Sequence, residues 1–76
     1  MANDEILIGH MYRHFKGGYY TVVGEATHSE TLDPMVIYKS AKDNKLWVRP
    51  RELFLAKKMI DGREVDRFSA ILPAID

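Results

Sequence analysis

Aromatic, cationic and hydroxyl side chains are concentrated in three short segments of this chain, at residues 12–20, 27–31 and 47–51. Aromatic rings stack on nucleic-acid bases, and arginine and lysine side chains contact phosphates, so this combination is typical of a recognition surface. The same rings can also cage a cation. The candidate ligand-binding residues are Tyr12, Arg13, His14, Lys16, Tyr19, His28, Ser29, Glu30, Trp47, Arg49 and Arg51.

The second segment contains the residue types of a hydrolytic triad, because His28, Ser29 and Glu30 follow one another. Adjacent residues do not make a triad by themselves, since nucleophile and base must lie within about 2.6–3.2 Å of each other in a defined order. The glycine-flanked serine of a nucleophile elbow is also absent. The hydroxyl and carboxylate groups of this segment instead predict a loop in which side-chain oxygens accept hydrogen bonds from backbone amides. A small hydrolase using His28 and Glu30 is the least favoured alternative, and no residue is assigned a catalytic role.

Two histidines, His10 and His14, have the four-residue spacing that places zinc ligands on one side of a helix. On a strand the same spacing separates them by about 13 Å, which is too far for a common ion. We therefore expect no metal site and no cofactor.

Alternation of side-chain types and clusters of Val, Ile, Tyr and Phe predict a series of short strands. Gly17-Gly18 and Asp61-Gly62 supply the positive φ angles of tight hairpin turns. Pro50 ends one strand, because it lacks an amide donor, and suits the start of a helical turn over residues 51–54. A longer helix over residues 51–60 is the alternative there. The predicted strands cover residues 8–14, 19–26, 35–39, 46–49, 55–60 and 63–68, with a last apolar pair at 71–72.

Five or six short strands with turns about every 8–12 residues predict a small, closed or nearly closed barrel of the all-β class. We expect residues 8–72 to form a single domain, with a flexible N-terminal segment at 1–7 and a tail at 73–76. Alternation also predicts that Tyr12 and His14 share one face of the first strand while Arg13 lies on the other. On the next strand, Tyr20 is expected to point inward and Tyr19 outward.

The composition limits the classes of function. The chain has 76 residues and a formal net charge of zero, whereas a dedicated nucleic-acid domain usually has a basic excess, so any basic face must be local. The absence of cysteine excludes disulfides and thiolate zinc sites and favours the cytoplasm. The sequence shows no signal-peptide pattern and no run of about 20 apolar residues, so we expect no membrane association. The oligomeric state is left open.

Several strings occur in a specific order: YRHFKG at residues 12–17, HSET at 28–31, WVRP at 47–50, then Asp61-Gly62 and Arg67-Phe68. With these strings the chain resembles a mostly bacterial family of small domains of unknown function, over about residues 9–68. The resemblance implies an SH3-like barrel. It implies no activity and supplies no catalytic residues.

The functional expectation is a small binding module. Exposed aromatics together with Arg13, Lys16, Arg49 and Arg51 favour recognition of nucleic acid, RNA more than duplex DNA. The alternative is a protein or peptide interaction module, in which an aromatic groove takes an extended segment.

Overall fold

The computed structural model describes residues 6–71, and within this range the chain forms seven strands and one short helix. Their bounds are β1 (Met11–His14), β2 (Tyr19–Thr27), β3 (Pro34–Ser40), β4 (Leu46–Pro50), α1 (Arg51–Phe54), β5 (Lys57–Ile60), β6 (Arg63–Asp66) and β7 (Phe68–Ile71).

Five of these strands form one antiparallel sheet in the order β4-β3-β2-β1-β7. Strands β1 to β4 follow one another as a meander, and β7 returns to pair with the other side of β1. The remaining two strands, β5 and β6, form a separate hairpin. The chain is a small all-β domain, which confirms the predicted class.

Two hairpin turns depend on residues with positive φ. Gly17 has φ 114° and lies in the β1–β2 turn, where the His14 amide donates to the Gly18 carbonyl at 2.8 Å. Asp61 and Gly62, with φ 53° and 79°, join β5 to β6. In the β5–β6 turn both central residues have positive φ, which is the geometry that matches the twist of the flanking strands, whereas in the β1–β2 turn Gly17 has positive φ and Gly18 does not. Both turns lie where the sequence predicted them.

Pro50 connects β4 directly to α1. Its φ of −54° and ψ of 138° keep it extended, and the start of a helix needs no amide donor from it. The Leu55 amide donates to the Arg51 carbonyl at 3.0 Å and closes the single turn. The helix over residues 51–54 is therefore confirmed, and the longer helical alternative through residue 60 does not form.

The core lies between one face of the sheet and α1. Phe54 is 1% exposed, and its ring stacks on Phe68 at 4.2 Å with an interplanar angle of 9°. Tyr12 meets Phe54 edge-on at 5.3 Å, and its hydroxyl accepts a hydrogen bond from the Leu7 amide at 3.0 Å. The buried cluster in the described residues comprises Ile6, Tyr12, Val22, Val36, Tyr38, Phe54 and Phe68.

The predicted strand over residues 63–68 is wrong, because the structure divides it at Arg67 into the end of β6 and the start of β7. The Arg67 amide donates to the Ala56 carbonyl at 3.1 Å, and the Arg67 carbonyl accepts from the Phe15 amide at 2.9 Å. These bonds tie Arg67 to two other segments, so the chain leaves the β5–β6 hairpin and joins the large sheet beside β1.

The first strand begins at Met11 rather than at residue 8. Gly9 has φ 87° and the His10 amide donates to the Leu7 carbonyl, so the chain turns before β1 starts. Ile6 belongs to the core, although the prediction placed it in the flexible N-terminal segment. Leu7 of the same segment packs against the core, whereas residues 1–5 and the predicted tail with Leu72 lie outside the described residues. Within residues 6–71, no helix is long and apolar enough to cross a membrane.

Replacement of Phe54 by Ala should lower the free energy of unfolding by about 3–5 kcal/mol, because it removes a fully buried ring and leaves a cavity beside Phe68. The matched control is Leu53→Ala in the same helical turn, where the side chain is 46% exposed. We expect that change to stay within about 0.5 kcal/mol. Urea denaturation followed by circular dichroism measures both, and similar losses for the two variants would contradict the central role of Phe54.

Candidate functional site

An open pocket of about 230 Å³ lies at one end of the core-facing side of the sheet. Each of its side chains comes from a strand of the large sheet, and two directly opposed pairs set its floor and one wall. His14 lies opposite Phe68, and Tyr38 lies opposite Trp47. Directly opposed residues in an antiparallel sheet project from the same face. The pocket is lined by His14, Tyr20, Tyr38, Trp47, Arg49 and Phe68.

Arg49 is held in the pocket by aromatic neighbours. Its Nε donates to the Tyr38 hydroxyl at 3.3 Å, and its Cζ lies 5.9 Å from the centroid of the Phe68 ring. Within residues 6–71, no carboxylate forms an ion pair with Arg49. A guanidinium carries five N–H donors, so the donors other than Nε are available to a ligand.

His14 is packed among rings and oriented by the adjacent turn. Its Nδ1 accepts a hydrogen bond from the Lys16 amide at 3.1 Å, so the neutral imidazole carries its proton on Nε2 and can donate from there. The ring centroids of Phe15 and Phe68 lie 4.6 Å and 4.9 Å from that of His14. Burial lowers the pKa of His14 below its usual 6.5, and the positive charges of Arg49, Arg67 and Lys16 lower it further.

The potential at this end of the sheet is positive. Three cations act together on the imidazole of His14, and none of the pocket-lining residues is acidic. Arg67 adds a buried Nε that has no hydrogen-bond partner in the part of the chain that the structure describes. Arg49 and the other nearby positive charges would repel a cationic ligand, so the charges around these rings oppose cation binding. The pocket instead favours an anionic or electron-rich group.

Strand β4 extends the pocket along the edge of the sheet. Trp47 is 47% exposed, and the Nζ of Lys45 lies 5.7 Å from its ring centroid. Trp47 and Arg49 are two residues apart on β4, which places their side chains on one face of the strand, and Lys45 immediately precedes that strand. An accessible indole between two cations is the arrangement that stacks a flat ring and contacts an attached anion.

The lining offers no carboxylate and no serine or cysteine nucleophile. It contains no Ser, Cys, Asp or Glu side chain, and His14 directs its Nδ1 to a backbone amide instead of to an acidic partner. Among residues 6–71, no group of three or more His, Asp or Glu side chains could hold a metal ion. The geometry suits binding by hydrogen bonds, charge and stacking.

The structure brings three of the predicted site residues together, namely His14, Trp47 and Arg49. Lys16 does not line the pocket: its backbone amide donates to His14, while its Nζ lies 5.8 Å from the centroid of the Phe15 ring. Tyr12 does not line it either, because it is 5% exposed and packs in the core against Phe54. The remaining two from the first segment lie elsewhere: Tyr19 is 48% exposed outside the pocket, and Arg13 lines a second cleft.

The other predicted site residues take part in local structure. The Nδ1 of His28 accepts hydrogen bonds from the amides of Glu30 and Thr31, at 3.1 Å and 3.2 Å. This arrangement caps the loop between β2 and β3, with Ser29 and Glu30 exposed to solvent. Arg51 pairs with Glu25, its Nε lying 3.4 Å from Oε1. None of these four predicted residues lines the pocket.

Three lining residues were absent from the predicted set, namely Tyr20, Tyr38 and Phe68. Their apolar pattern indicates core residues, and two of them are indeed buried. The signal that would have placed Phe68 at the site is its pairing with His14. That pairing can be recognised only when the position of β7 in the sheet is known.

Comparisons with known proteins agree with this architecture. Residues 10–70 match the model of a family described as protein of unknown function, DUF1653. The chain is also similar to the crystal structure of a protein of that family from Bordetella bronchiseptica, with 22% sequence identity, a TM-score of 0.80 and coverage of 99% of each chain. At this identity the similarity shows the fold alone. No curated protein matches the chain.

The Tyr20 wall of the pocket packs closely against Gly18. A Cβ atom on Gly18 would lie 3.1 Å from Cε1 and 3.3 Å from the hydroxyl oxygen of Tyr20. Gly18→Ala should therefore displace this ring, shift the aromatic proton resonances of Tyr20 and Phe68, and cost about 1 kcal/mol of stability. The matched control is Gly24→Ala, where a Cβ meets nothing within 4 Å. Unchanged Tyr20 resonances in the Gly18 variant would contradict the assigned contact.

The titration of His14 reports the potential in the pocket. We expect its imidazole to titrate below 6.5, and Arg49→Met to raise the pKa partway, because burial, Arg67 and Lys16 remain. NMR titration of the imidazole protons measures this pKa, with Lys42→Met as the control, since Lys42 lines neither the pocket nor the second cleft. Since the unfolded chain binds this proton more tightly, stability should fall as the pH drops from 6.5 through the folded pKa. An unchanged pKa in the Arg49 variant would contradict the electrostatic coupling.

Proposed function

We propose that this chain, which belongs to the DUF1653 family, is a binding module for single-stranded nucleic acid, RNA in particular. The observation that supports this function most directly is the convergence of His14, Trp47 and Arg49 on one positively charged aromatic pocket.

The aromatic component supports a ligand with a flat ring. Trp47 offers an accessible indole, and Tyr20, Tyr38 and Phe68 give the pocket apolar walls. Stacking of one base on such a ring contributes about 1–3 kcal/mol and tolerates any base. A volume of about 230 Å³ is at the scale of one such group. In a duplex the bases are stacked and paired, so a splayed single strand fits this pocket and duplex DNA does not.

The cationic component supports a phosphate attached to that ring. Arg49 lines the pocket beside Trp47, the Nζ of Lys45 lies 5.7 Å from the Trp47 ring centroid, and the charge of Lys16 acts on His14. A guanidinium forms charge-assisted hydrogen bonds with phosphate oxygens, which are shorter and stronger than bonds between neutral groups. Because the whole chain has no net charge, affinity must come from this local group of cations and from stacking.

We also propose that the fold is a variant of the SH3-like barrel. The pairing of β7 with β1 brings the first and last described strands together, and the single helical turn α1 follows β4. In this interpretation the β5–β6 hairpin, which lies between α1 and β7 in the sequence, is an insertion before the last strand. A single domain over residues 8–72, extended by Ile6 and Leu7, and a cytoplasmic location belong to the same proposal.

Binding can be measured through Trp47, which is the single tryptophan of the chain. We expect a short single-stranded RNA of mixed sequence to quench its fluorescence at low salt, and the affinity to fall as salt is added, because bound phosphates release counterions. Arg49→Met should weaken binding about tenfold, since a hydrogen bond between charged groups contributes about 1.5–3 kcal/mol. Lys39→Met, on the other face of β3, is the matched control and should bind as the wild type does.

Three outcomes would contradict this function. The first is no quenching by single-stranded RNA at low salt, and the second is tighter binding of a duplex of the same sequence. The third is salt-insensitive binding of an extended peptide in place of RNA, which would favour the peptide interaction module.

A further inference from the structure

A second and larger cleft, of about 380 Å³, lies on the opposite face of the β1–β7 pair. Arg13 lies opposite Ser69, and the next pair along, His14 with Phe68, lines the first pocket. Because successive side chains of a strand point to opposite faces, the two cavities lie back to back across these strands. The second cleft is lined by Arg13, Phe15, Ile60, Val65, Asp66 and Ser69.

The floor of this cleft is apolar. Phe15 contributes an aromatic ring from the β1–β2 turn, and the hairpin contributes Ile60 and Val65. These two hairpin side chains project from one face, since Lys58 pairs with Val65 and Ile60 pairs with Arg63. Ile60 is exposed to solvent although it faces other apolar groups, so a ligand with a hydrocarbon body would remove apolar surface from water here.

The rim of the cleft carries uncompensated positive charge. Arg13 is exposed, and no carboxylate of residues 6–71 forms an ion pair with it. The Nζ atoms of Lys16 and Lys58 lie 5.8 Å and 5.9 Å from the centroid of the Phe15 ring. The acidic residue of the lining is already engaged, because the Oδ1 of Asp66 accepts from the Nζ of Lys57 at 2.9 Å.

We propose that this cleft binds an apolar monocarboxylate. The carboxylate would pair with the guanidinium of Arg13, whose planar fork matches two carboxylate oxygens, and would accept from the hydroxyl of Ser69. The hydrocarbon body would lie against Phe15, Ile60 and Val65. A strongly hydrated inorganic anion gains nothing from that floor, and a neutral hydrocarbon leaves Arg13 unused. The same chemistry is found in a free small acid and in the apolar C-terminal residue of a peptide.

The test compares phenylpropionate with phenylpropanol, which has the same body without the charge, by heteronuclear NMR titration of the full chain. The acid should shift the amide resonances of Phe15, Ile60 and Val65 and bind at least about tenfold more tightly than the alcohol. Arg13→Met should remove this preference, and Lys42→Met should retain it. Since the comparison of acid with alcohol uses the wild-type chain, it does not depend on the folding of a variant.

A second arm identifies the source of the carboxylate. A short peptide ending in Phe is titrated with a free C-terminus and with an amidated one, beside the free acid. Tighter binding of the free-terminus peptide identifies a peptide end, and tighter binding of phenylpropionate identifies a small acid. Equal binding of acid and alcohol, shifts that map to the first pocket, or a preference that survives Arg13→Met would each overturn the proposal. Arg49→Met should leave this binding unchanged, which separates the second cleft from the nucleic-acid pocket.

Discussion

The stacking of Phe54 on Phe68 is the contact on which both the core and the pocket depend. It joins α1 to β7, two elements with no shared backbone ladder, through parallel rings 4.2 Å apart. The same Phe68 ring lines the pocket, where His14 and Tyr38 meet it edge-on at 4.9 Å and 5.3 Å. A ring fixed by close packing has little freedom to move. The floor of the pocket is therefore already formed by the packing of the core, before any ligand binds.

The pocket has a positive potential because several carboxylates form their ion pairs and hydrogen bonds elsewhere in the fold. Glu25 pairs with Arg51, Asp66 pairs with Lys57, and Asp43 accepts a hydrogen bond from the Lys45 amide in the β3–β4 turn. Each of these carboxylates thus has a local structural partner outside the pocket. Interactions between exposed charges are largely screened beyond about 10 Å at ordinary salt. A chain with equal numbers of acidic and basic residues can therefore contain a distinctly cationic site.

Features decided by neighbours in the sequence were predictable, and features decided by distant pairing were not. The turn at Gly17, the helical turn after Pro50 and the outward position of Tyr19 each follow from a few adjacent residues. Periodicity alone continues β6 through Phe68, because it contains nothing about the bonds of Arg67 to Ala56 and Phe15. Alternation places Tyr12 and His14 on one face, but it does not tell that Tyr12 lies beneath α1 while His14 reaches the open end. How deeply each side chain is buried depends on tertiary packing, which is why only some of the predicted site residues come together in the pocket.

Strand β1 separates two cavities of different chemistry, and its alternation assigns one residue to each. His14 faces rings and cations, whereas Arg13 faces an apolar cleft that the β5–β6 hairpin lines on one side. Hydrogen bonds to β2 on one side and β7 on the other hold the backbone of β1 in register. A side chain can then respond to a ligand on its own face without moving the strand, so the two sites should respond independently. The remaining link between them is the contact of His14 with Phe15, whose rings lie 4.6 Å apart where β1 ends. Any coupling between the cavities must pass through this pair of rings or through the electrostatic field, because the rest of the shared wall is backbone fixed by the sheet.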